Sequence, residues 1–163
     1  MQKNHARVGS LAFILATALF LTPVSAQERC KVNEVVSAAN SQYTEQHTMD
    51  VGDVPGRQIR ILEIKRTYPD DKTNCEGLKR TQSIEHGMSD YYDCNGAVHV
   101  YGVITYENGD KIFEVIEGVS QTVTEPDGSK KGTVNSVIRY TGGTGKYANV
   151  RGLFRSIVIF DIS

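Results

Sequence analysis

The sequence predicts an all-β protein built as an antiparallel barrel or sandwich. From residue 42 onward, runs of alternating polar and apolar residues are rich in β-branched and aromatic side chains, which favour strands. Turn signals separate these runs, above all Asn108-Gly109 and Asp127-Gly128. Consecutive strands joined by short turns, with no helices between them, pair antiparallel and close into a barrel or stack as a sandwich.

Seven segments have the strand pattern, and each is bounded by residues that favour turns. They are residues 42–50, 58–68, 78–87, 97–107, 111–123, 131–141 and 150–162. Ahead of them, residues 32–39 have apolar side chains at helical spacing, which is consistent with one short N-terminal helix.

Residues 1–26 have the pattern of a secretory signal peptide. Lys3 and Arg7 give a positive start, residues 11–21 are apolar, and small residues end at Ala26, just before Gln27. A largely apolar stretch of eleven residues is short for a bilayer, since crossing needs about 20. We therefore expect an exported protein, periplasmic or secreted and not membrane-associated after cleavage, in which residues 27–163 form a single domain.

Charge argues against a nucleic-acid partner. The chain has 18 basic and 19 acidic residues; the predicted signal peptide holds two basic and no acidic ones, which leaves 16 against 19, a net charge of −3. DNA and RNA binders instead show a basic excess. The histidines His47, His86 and His99 lack the short spacing of metal ligands, so we expect neither a metal nor another cofactor.

Three cysteines bear on disulfide formation, which export permits. Cys75 and Cys94 both lie in turn-rich segments and form one candidate pair. Cys30 could equally be the partner of either, because three cysteines allow three single pairings.

The glycine-rich segment YTGGTGKYANVRG, residues 140–152, looks at first like a nucleotide loop. Gly143, Gly145 and Ala148 satisfy G-x-G-x-x-G/A, but that pattern must open a helix within a βαβ unit. Only 18 residues follow Gly145, and they favour a strand. The glycines therefore predict a turn between two strands, with positive φ angles or close backbone approach.

This loop resembles the Gly-Gly-Thr/Ser-Gly-x-aromatic signature, with a later glycine, of the allene oxide cyclase and dirigent barrel superfamily. The positions that match are Gly142, Gly143, Thr144, Gly145, Tyr147 and Gly152. The resemblance implies an eight-stranded antiparallel, calycin-like barrel with a largely apolar cavity, and a homo-oligomer, since plant members are often trimeric. Allene oxide cyclases close a fatty-acid epoxide without a cofactor, and dirigent proteins steer the coupling of phenolic radicals.

If Asn108-Gly109 is a two-residue turn, Val100 lies opposite Glu117. One face of this hairpin is then the more apolar, and we expect it to point inward. It carries Val98, Val100, Gly102, Ile104, Tyr106, Phe113, Val115, Glu117 and Val119. Glu117 would be a carboxylate among apolar side chains, suited to proton transfer or to binding a polar ligand group. The alternative is a solvated position or an ion pair with an arginine.

Two further charges share a strand face with apolar residues. Glu63 alternates with Ile59 and Ile61, and Arg155 alternates with aliphatic residues of the last strand. Either the two charges pair with each other, or Arg155 binds the carboxylate of an apolar acid. The candidate ligand-binding residues are therefore Glu63, Tyr106, Phe113 and Arg155, and the candidate catalytic residue is Glu117.

These observations predict an exported barrel that binds an apolar small molecule, fatty-acid-like or phenolic, without a cofactor. One alternative is a cofactor-free isomerase or cyclase that uses a single carboxylate. Another is a secreted scaffold for protein interactions, because a fold alone does not determine function. No set of residues requires chemistry, so the sequence leaves open whether the protein is an enzyme.

The signal-peptide prediction can be tested directly. Protein exported by its own host is expected to begin at Gln27, because signal peptidase cleaves after the small residues that end at Ala26. N-terminal sequencing checks this, and exported protein that still begins at Met1 would contradict it.

Overall fold

A computed structural model describes residues 35–162, and Cys30 and the predicted signal peptide lie outside them. Residues 35–162 form one antiparallel sheet of seven strands, in which each strand pairs with its neighbours in sequence. The strands are β1 (Ser41–Asp50), β2 (Arg57–Thr67), β3 (Arg80–Tyr92), β4 (Asn95–Tyr106), β5 (Lys111–Thr124), β6 (Lys130–Gly143) and β7 (Gly152–Ile162). The predicted all-β, antiparallel class is confirmed.

Two parts of the fold prediction were wrong. The described residues hold seven strands in an open order from β1 to β7, and they do not form a closed, eight-stranded barrel. Of the predicted N-terminal helix, residues 35–37 are not helical, and a single 3-10 turn at Ala38–Asn40 precedes β1. Residues 32–34 lie outside the described part of the chain.

β3 differs most from its predicted bounds, because it continues to Tyr92. The chain reverses only at Asp93 and Cys94, which have positive φ angles of 48° and 60°. Two consecutive residues of this conformation make the tight turn whose twist matches paired strands. Glycine usually marks such a turn. Because neither Asp93 nor Cys94 is glycine, the sequence did not show where β3 ends.

The sheet has one buried face and one exposed face, and we use these names below. Residues on the buried face include Leu62, Ser83, Glu85, Ser89, Val100, Ile104, Tyr106, Ile112, Glu114 and Ser120. Those on the exposed face include Ile61, Met88, Tyr101, Phe113, Val119, Val137, Leu153, Ile157 and Ile159. Within residues 35–162 no helix or second sheet covers the buried face, so its burial is explained by curling of the twisted sheet together with packing of connecting segments, among them Leu78 and Val150. Register shifts in the β1–β2, β3–β4 and β5–β6 ladders add to that curl.

The β4–β5 hairpin has a three-residue loop. The Tyr106 N–H donates to the Asp110 carbonyl at 2.9 Å, and Gly109 takes a positive φ of 86°. This is a turn followed by a one-residue bulge, not the two-residue turn predicted. The predicted register was therefore wrong by one residue, since Glu117 lies opposite His99 and not opposite Val100.

A one-residue shift moves every side chain of a strand to the other face. The predicted inward face of β4 is indeed buried, with Val100, Ile104 and Tyr106 among its members. On β5 the prediction is inverted: Glu114 is buried, whereas Glu117 is exposed.

The glycine-rich loop connects β6 to β7 and attaches to the β4–β5 hairpin. Gly142 and Gly145 have positive φ angles of 153° and 51°. Thr144 bonds twice to Lys111, since its N–H donates to the Lys111 carbonyl and its Oγ1 accepts from the Lys111 N–H, both at 2.9 Å. The Lys146 N–H donates to the Asp110 carboxylate at 3.0 Å.

Tyr147, in the 3-10 turn Gly145–Tyr147, covers one end of the buried face. Its ring lies 4.4 Å from that of Tyr106, between ring centroids, and both pack with Ile104 and Ile112. Its hydroxyl accepts a 2.6 Å hydrogen bond from Asn74, and burial raises the pKa of this phenol. Tyr106, predicted to bind ligand, is a packing residue that is 5% exposed.

Two arginines on the buried side of the sheet are paired with carboxylates. Arg66 donates twice to Glu85, at 2.8 and 3.1 Å. Arg80 donates to the Asp71 carboxylate at 3.0 and 2.7 Å and lies 4.1 Å above the Tyr68 ring. Burial opposes ionisation of Asp71, but the bonds from Arg80 outweigh it and hold the pKa of this carboxyl below its usual value.

The loop geometry predicts unequal effects of two glycine substitutions. Gly145→Val should destabilise more than Gly128→Val, by about 2 kcal/mol. Both glycines have positive φ, but a Cβ at Gly145 would collide with the Asp110 carboxylate, whereas one at Gly128 meets nothing within 4 Å. Thermal denaturation of the two variants measures the difference, and added NAD or ATP should leave the wild-type midpoint unchanged. Equal losses would contradict this role of the loop.

The buried Arg66–Glu85 pair predicts that two glutamate substitutions differ in their effect on stability. Glu85→Gln should lower the free energy of unfolding by about 2 kcal/mol, because Arg66 would then carry a charge without a partner in a position largely removed from solvent. Glu63→Gln should cost clearly less, since its partner His86 is largely exposed. Urea denaturation of both variants gives the comparison. A smaller loss for Glu85→Gln than for Glu63→Gln would show that the buried pair does not stabilise the sheet.

Candidate functional site

A cleft lies at the turn end of the β6–β7 hairpin, and we call it the arginine cleft. Its volume is about 440 Å³, within the usual range for small-molecule sites of about 300–1,000 Å³. It is lined by Arg139, Tyr140, Thr141, Arg151, Gly152 and Leu153.

The ladder between β6 and β7 positions the two walls of this cleft. Arg139 lies directly opposite Leu153 on the exposed face, and Tyr140 lies opposite Gly152. A Cβ at Gly152 would lie 3.2 Å from the Tyr140 ring. The absence of a side chain at Gly152 therefore lets the ring lie across the β7 backbone.

The glycine-rich loop supports the second arginine. Arg151 Nη1 donates to the carbonyl of Val150 at 2.6 Å, which holds the guanidinium back against its own backbone. A Cβ at Gly142 would lie 3.6 Å from this nitrogen. The loop backbone therefore lies alongside the Arg151 guanidinium, so the conformation of the loop and the position of this charge are linked.

The electrostatics of the cleft are those of an anion site with an apolar wall. Arg139 makes no ion pair within residues 35–162. Beside it on the exposed face, Leu153 is 71% exposed, whereas the Tyr140 ring is on the buried face and meets the Phe154 ring edge-on at 5.1 Å. A guanidinium binds carboxylate or phosphate through paired hydrogen bonds, and an aliphatic neighbour favours a ligand with an apolar body.

Four of the five predicted functional residues share the exposed face: Glu63, Phe113, Glu117 and Arg155. Phe113 lies opposite Gly142, and its carbonyl accepts from Thr141 Oγ1 at 3.3 Å, which places it next to the arginine cleft. Arg155 lies two residues beyond Leu153. Phe113 and Arg155 thus flank the cleft without lining it.

Glu117 does not lie in an apolar interior, so the geometric basis for its catalytic role is lost. Its side chain is 65% exposed, and its carboxylate is 3.6 Å from His99 Nδ1. It borders a second, smaller hollow of about 270 Å³, together with Met88, Asp90, Ala97, Val98, His99 and Gly118.

Glu63 has local partners, so the predicted alternative of a Glu63–Arg155 pair is wrong. Its carboxylate accepts from Thr44 Oγ1 at 2.6 Å and lies 2.7 Å from His86 Nε2. The Thr44 hydrogen bond, followed by that to His86, lowers the pKa of Glu63. Glu63 is therefore part of a polar group on β1, β2 and β3, away from the arginine cleft.

The predicted Cys75–Cys94 disulfide is not formed, because Cys94 is a free cysteine. Cys75 is disulfide-bonded, and its partner lies outside the described residues. Cys94 lies in the tight turn between β3 and β4, at positive φ.

Two negative findings apply to residues 35–162. They contain no group of three or more histidine, cysteine or acidic side chains placed to hold a metal ion. They also contain no helix of the length and hydropathy needed to cross a membrane.

Sequence reasoning missed Arg139 and Arg151, although a signal for them was present. Once the glycine-rich loop is taken as a β6–β7 turn, residues equally distant from it must face each other, as Arg139 and Leu153 do. That pairing sets a guanidinium against an aliphatic side chain on one face.

Comparison with known proteins adds no identification. Protein-family models, curated proteins and solved structures were each searched, and none matched the chain. The likeness of the glycine-rich loop to the allene oxide cyclase and dirigent signature therefore stays a prediction.

Proposed function

We propose that this protein is an exported binding protein for an amphipathic organic anion, of the fatty-acid type, and that the ligand occupies the arginine cleft. The observation that carries the proposal is the Arg139 guanidinium, which has no ion pair within the described residues and lies beside the exposed side chain of Leu153.

The chemistry of the cleft selects both ends of such a ligand. Arg139 offers donors in a planar fork that matches a carboxylate, and Arg151 adds a second positive charge. Leu153 provides apolar contact for the chain that follows the carboxylate. A fully apolar ligand would leave the Arg139 guanidinium without a partner, so the amphipathic acid is preferred over a neutral lipid or phenol.

The sequence supports the rest of the proposal. The signal-peptide pattern favours export, and the loop resemblance favours an apolar small molecule as ligand. The cleft differs from the cavity expected of a barrel, because it lies at the end of a hairpin in an open sheet.

One observation favours a second candidate, a cofactor-free isomerase or cyclase. His99 and Glu117 form an imidazole–carboxylate pair, separated by 3.6 Å, at the rim of the second hollow. A carboxylate that orients an imidazole is a common arrangement for a general base. Turnover of an unsaturated fatty-acid epoxide that is lost in Glu117→Gln would favour this candidate.

The binding proposal predicts a specific loss of affinity. Arg139→Gln should weaken dodecanoate binding at least tenfold, about 1.4 kcal/mol, because it removes the donor of a charge-assisted pair. Lys131→Gln is the matched control: Lys131 is on the same strand and the same face, eight residues away, and makes no ion pair within the described residues. Calorimetric titration measures both variants.

A ligand of the same chain length without a carboxylate distinguishes the contribution of the carboxylate to binding from that of the hydrocarbon chain. Dodecanol should bind wild type weakly and be little affected by Arg139→Gln. Equal binding of dodecanoate and dodecanol, or equal losses in the Arg139 and Lys131 variants, would contradict the proposed site. Absence of binding to any such ligand would favour the scaffold alternative.

A further inference from the structure

The free edge of the sheet is a feature separate from the arginine cleft, and its role does not depend on the ligand. β7 is the last strand, so within residues 35–162 one of its edges has no partner strand. It is 11 residues long, and its ladder with β6 has no register shift. It contains neither proline nor lysine, which are among the devices that prevent strand edges from pairing with other chains.

The opposite edge of the sheet is protected. β1 has a register shift between Tyr43 and Glu45, and it carries Glu45, His47 and Asp50 among mostly polar neighbours. A bulge and charged side chains both discourage strand addition. The two edges are therefore not equivalent, and only β7 is suited to accept another strand.

The side chains of β7 indicate what could cover it. Leu153, Ile157 and Ile159 are 71%, 66% and 69% exposed on one face of the strand. The same face carries one cation, Arg155, and one anion, Asp161, at either end of the Ile157–Ile159 stretch. Neither Arg155 nor Asp161 makes an ion pair within the described residues, although Asp161 lies opposite Lys131.

We propose that β7 pairs with β7 of a second copy of this chain, antiparallel, about a twofold axis at Val158. In this register, two residues lie directly opposite each other when they are equally far from Val158 along the strand, one before it and one after it. Arg155 of each copy faces Asp161 of the other, and Ile157 of each faces Ile159 of the other. The ion pair occurs twice, on either side of four isoleucines.

Neighbouring registers lack this complementarity. An axis at Ile157 places Arg155 opposite Ile159, and an axis at Ile159 places Asp161 opposite Ile157. Only the axis at Val158 brings the two charges together. A strand that matches itself in this way favours a second copy over an unrelated peptide, because an isologous contact uses one surface twice.

The protected edge explains why assembly would stop at two copies. Pairing of the two β7 edges leaves a continuous sheet that ends at β1 on both sides. Since β1 carries a bulge and charges, further addition is disfavoured and the dimer is closed.

Charge exchange tests the proposed pairing. Arg155→Asp and Asp161→Arg should each weaken the dimer at least tenfold, because each places like charges opposite each other twice. The double variant should restore the dimer to within a few fold of wild type. Lys65→Asp is the control, with a charge reversal on the exposed face of β2, and should have no effect. Sedimentation equilibrium measures the dissociation constants, and circular dichroism shows that each variant is folded.

Cysteine scanning tests the register separately. In a Cys94→Ser background, Ile157→Cys, Val158→Cys and Ile159→Cys are oxidised in turn. Val158→Cys should give the most cross-linked dimer, because only residue 158 faces itself, within about 5 Å between Cβ atoms. Strongest cross-linking at position 157 or 159 would overturn the register. A monomer at all concentrations, a trimer, or charge variants that associate like wild type would overturn the interface.

Discussion

Asp110 holds together the two parts of the chain on which the arrangement of the sheet depends. Its carbonyl accepts from the Tyr106 N–H at 2.9 Å and closes the β4–β5 hairpin, while its own N–H donates to Asn108 Oδ1 at 3.0 Å. Its carboxylate accepts from the Lys146 N–H at 3.0 Å and so anchors the glycine-rich loop between β6 and β7. One aspartate therefore sets the register of the central hairpin and ties it to the loop that supports Arg151. It also explains why Gly145, next to that carboxylate, cannot carry a side chain without displacing it.

Most of the fold could be predicted from the sequence, because period-two alternation and turn residues are local signals. The register of the central hairpin could not. Asn108-Gly109 is compatible with a two-residue turn and also with a longer loop in which Gly109 takes the bulge position. The choice is made by hydrogen bonds of Asp110, which the dipeptide does not reveal. A one-residue error then moved Glu117 from the exposed face to the interior, and with it the predicted catalytic site.

The candidate site was predictable only in part, for a related reason. Alternation correctly placed Arg155 on the same face as Leu153, but it does not say which face is covered when both carry apolar residues. We expected an apolar interior, as in a closed barrel. The buried face instead includes Ser83, Ser120 and the Arg66–Glu85 pair, because small or paired polar groups can be enclosed by a curled sheet without large voids. Disulfide pairing likewise depends on distances between distant turns, which no spacing rule supplies.

The distribution of charge connects the ligand cleft with the strand edge. On β2 and β3, Arg57, Arg66 and Arg80 have carboxylate partners, and Arg60 donates to the Gln46 side chain. On β6 and β7, Arg139 and Arg155 have none within the described residues, and they lie beside exposed aliphatic side chains. Exposed apolar surface next to unpaired charge contributes little to the stability of a single chain, so its retention is better explained by contacts outside that chain. Two hairpin strands would thus serve two purposes: Arg139 and Leu153 face a ligand, while Arg155 and the isoleucines beyond it face another copy.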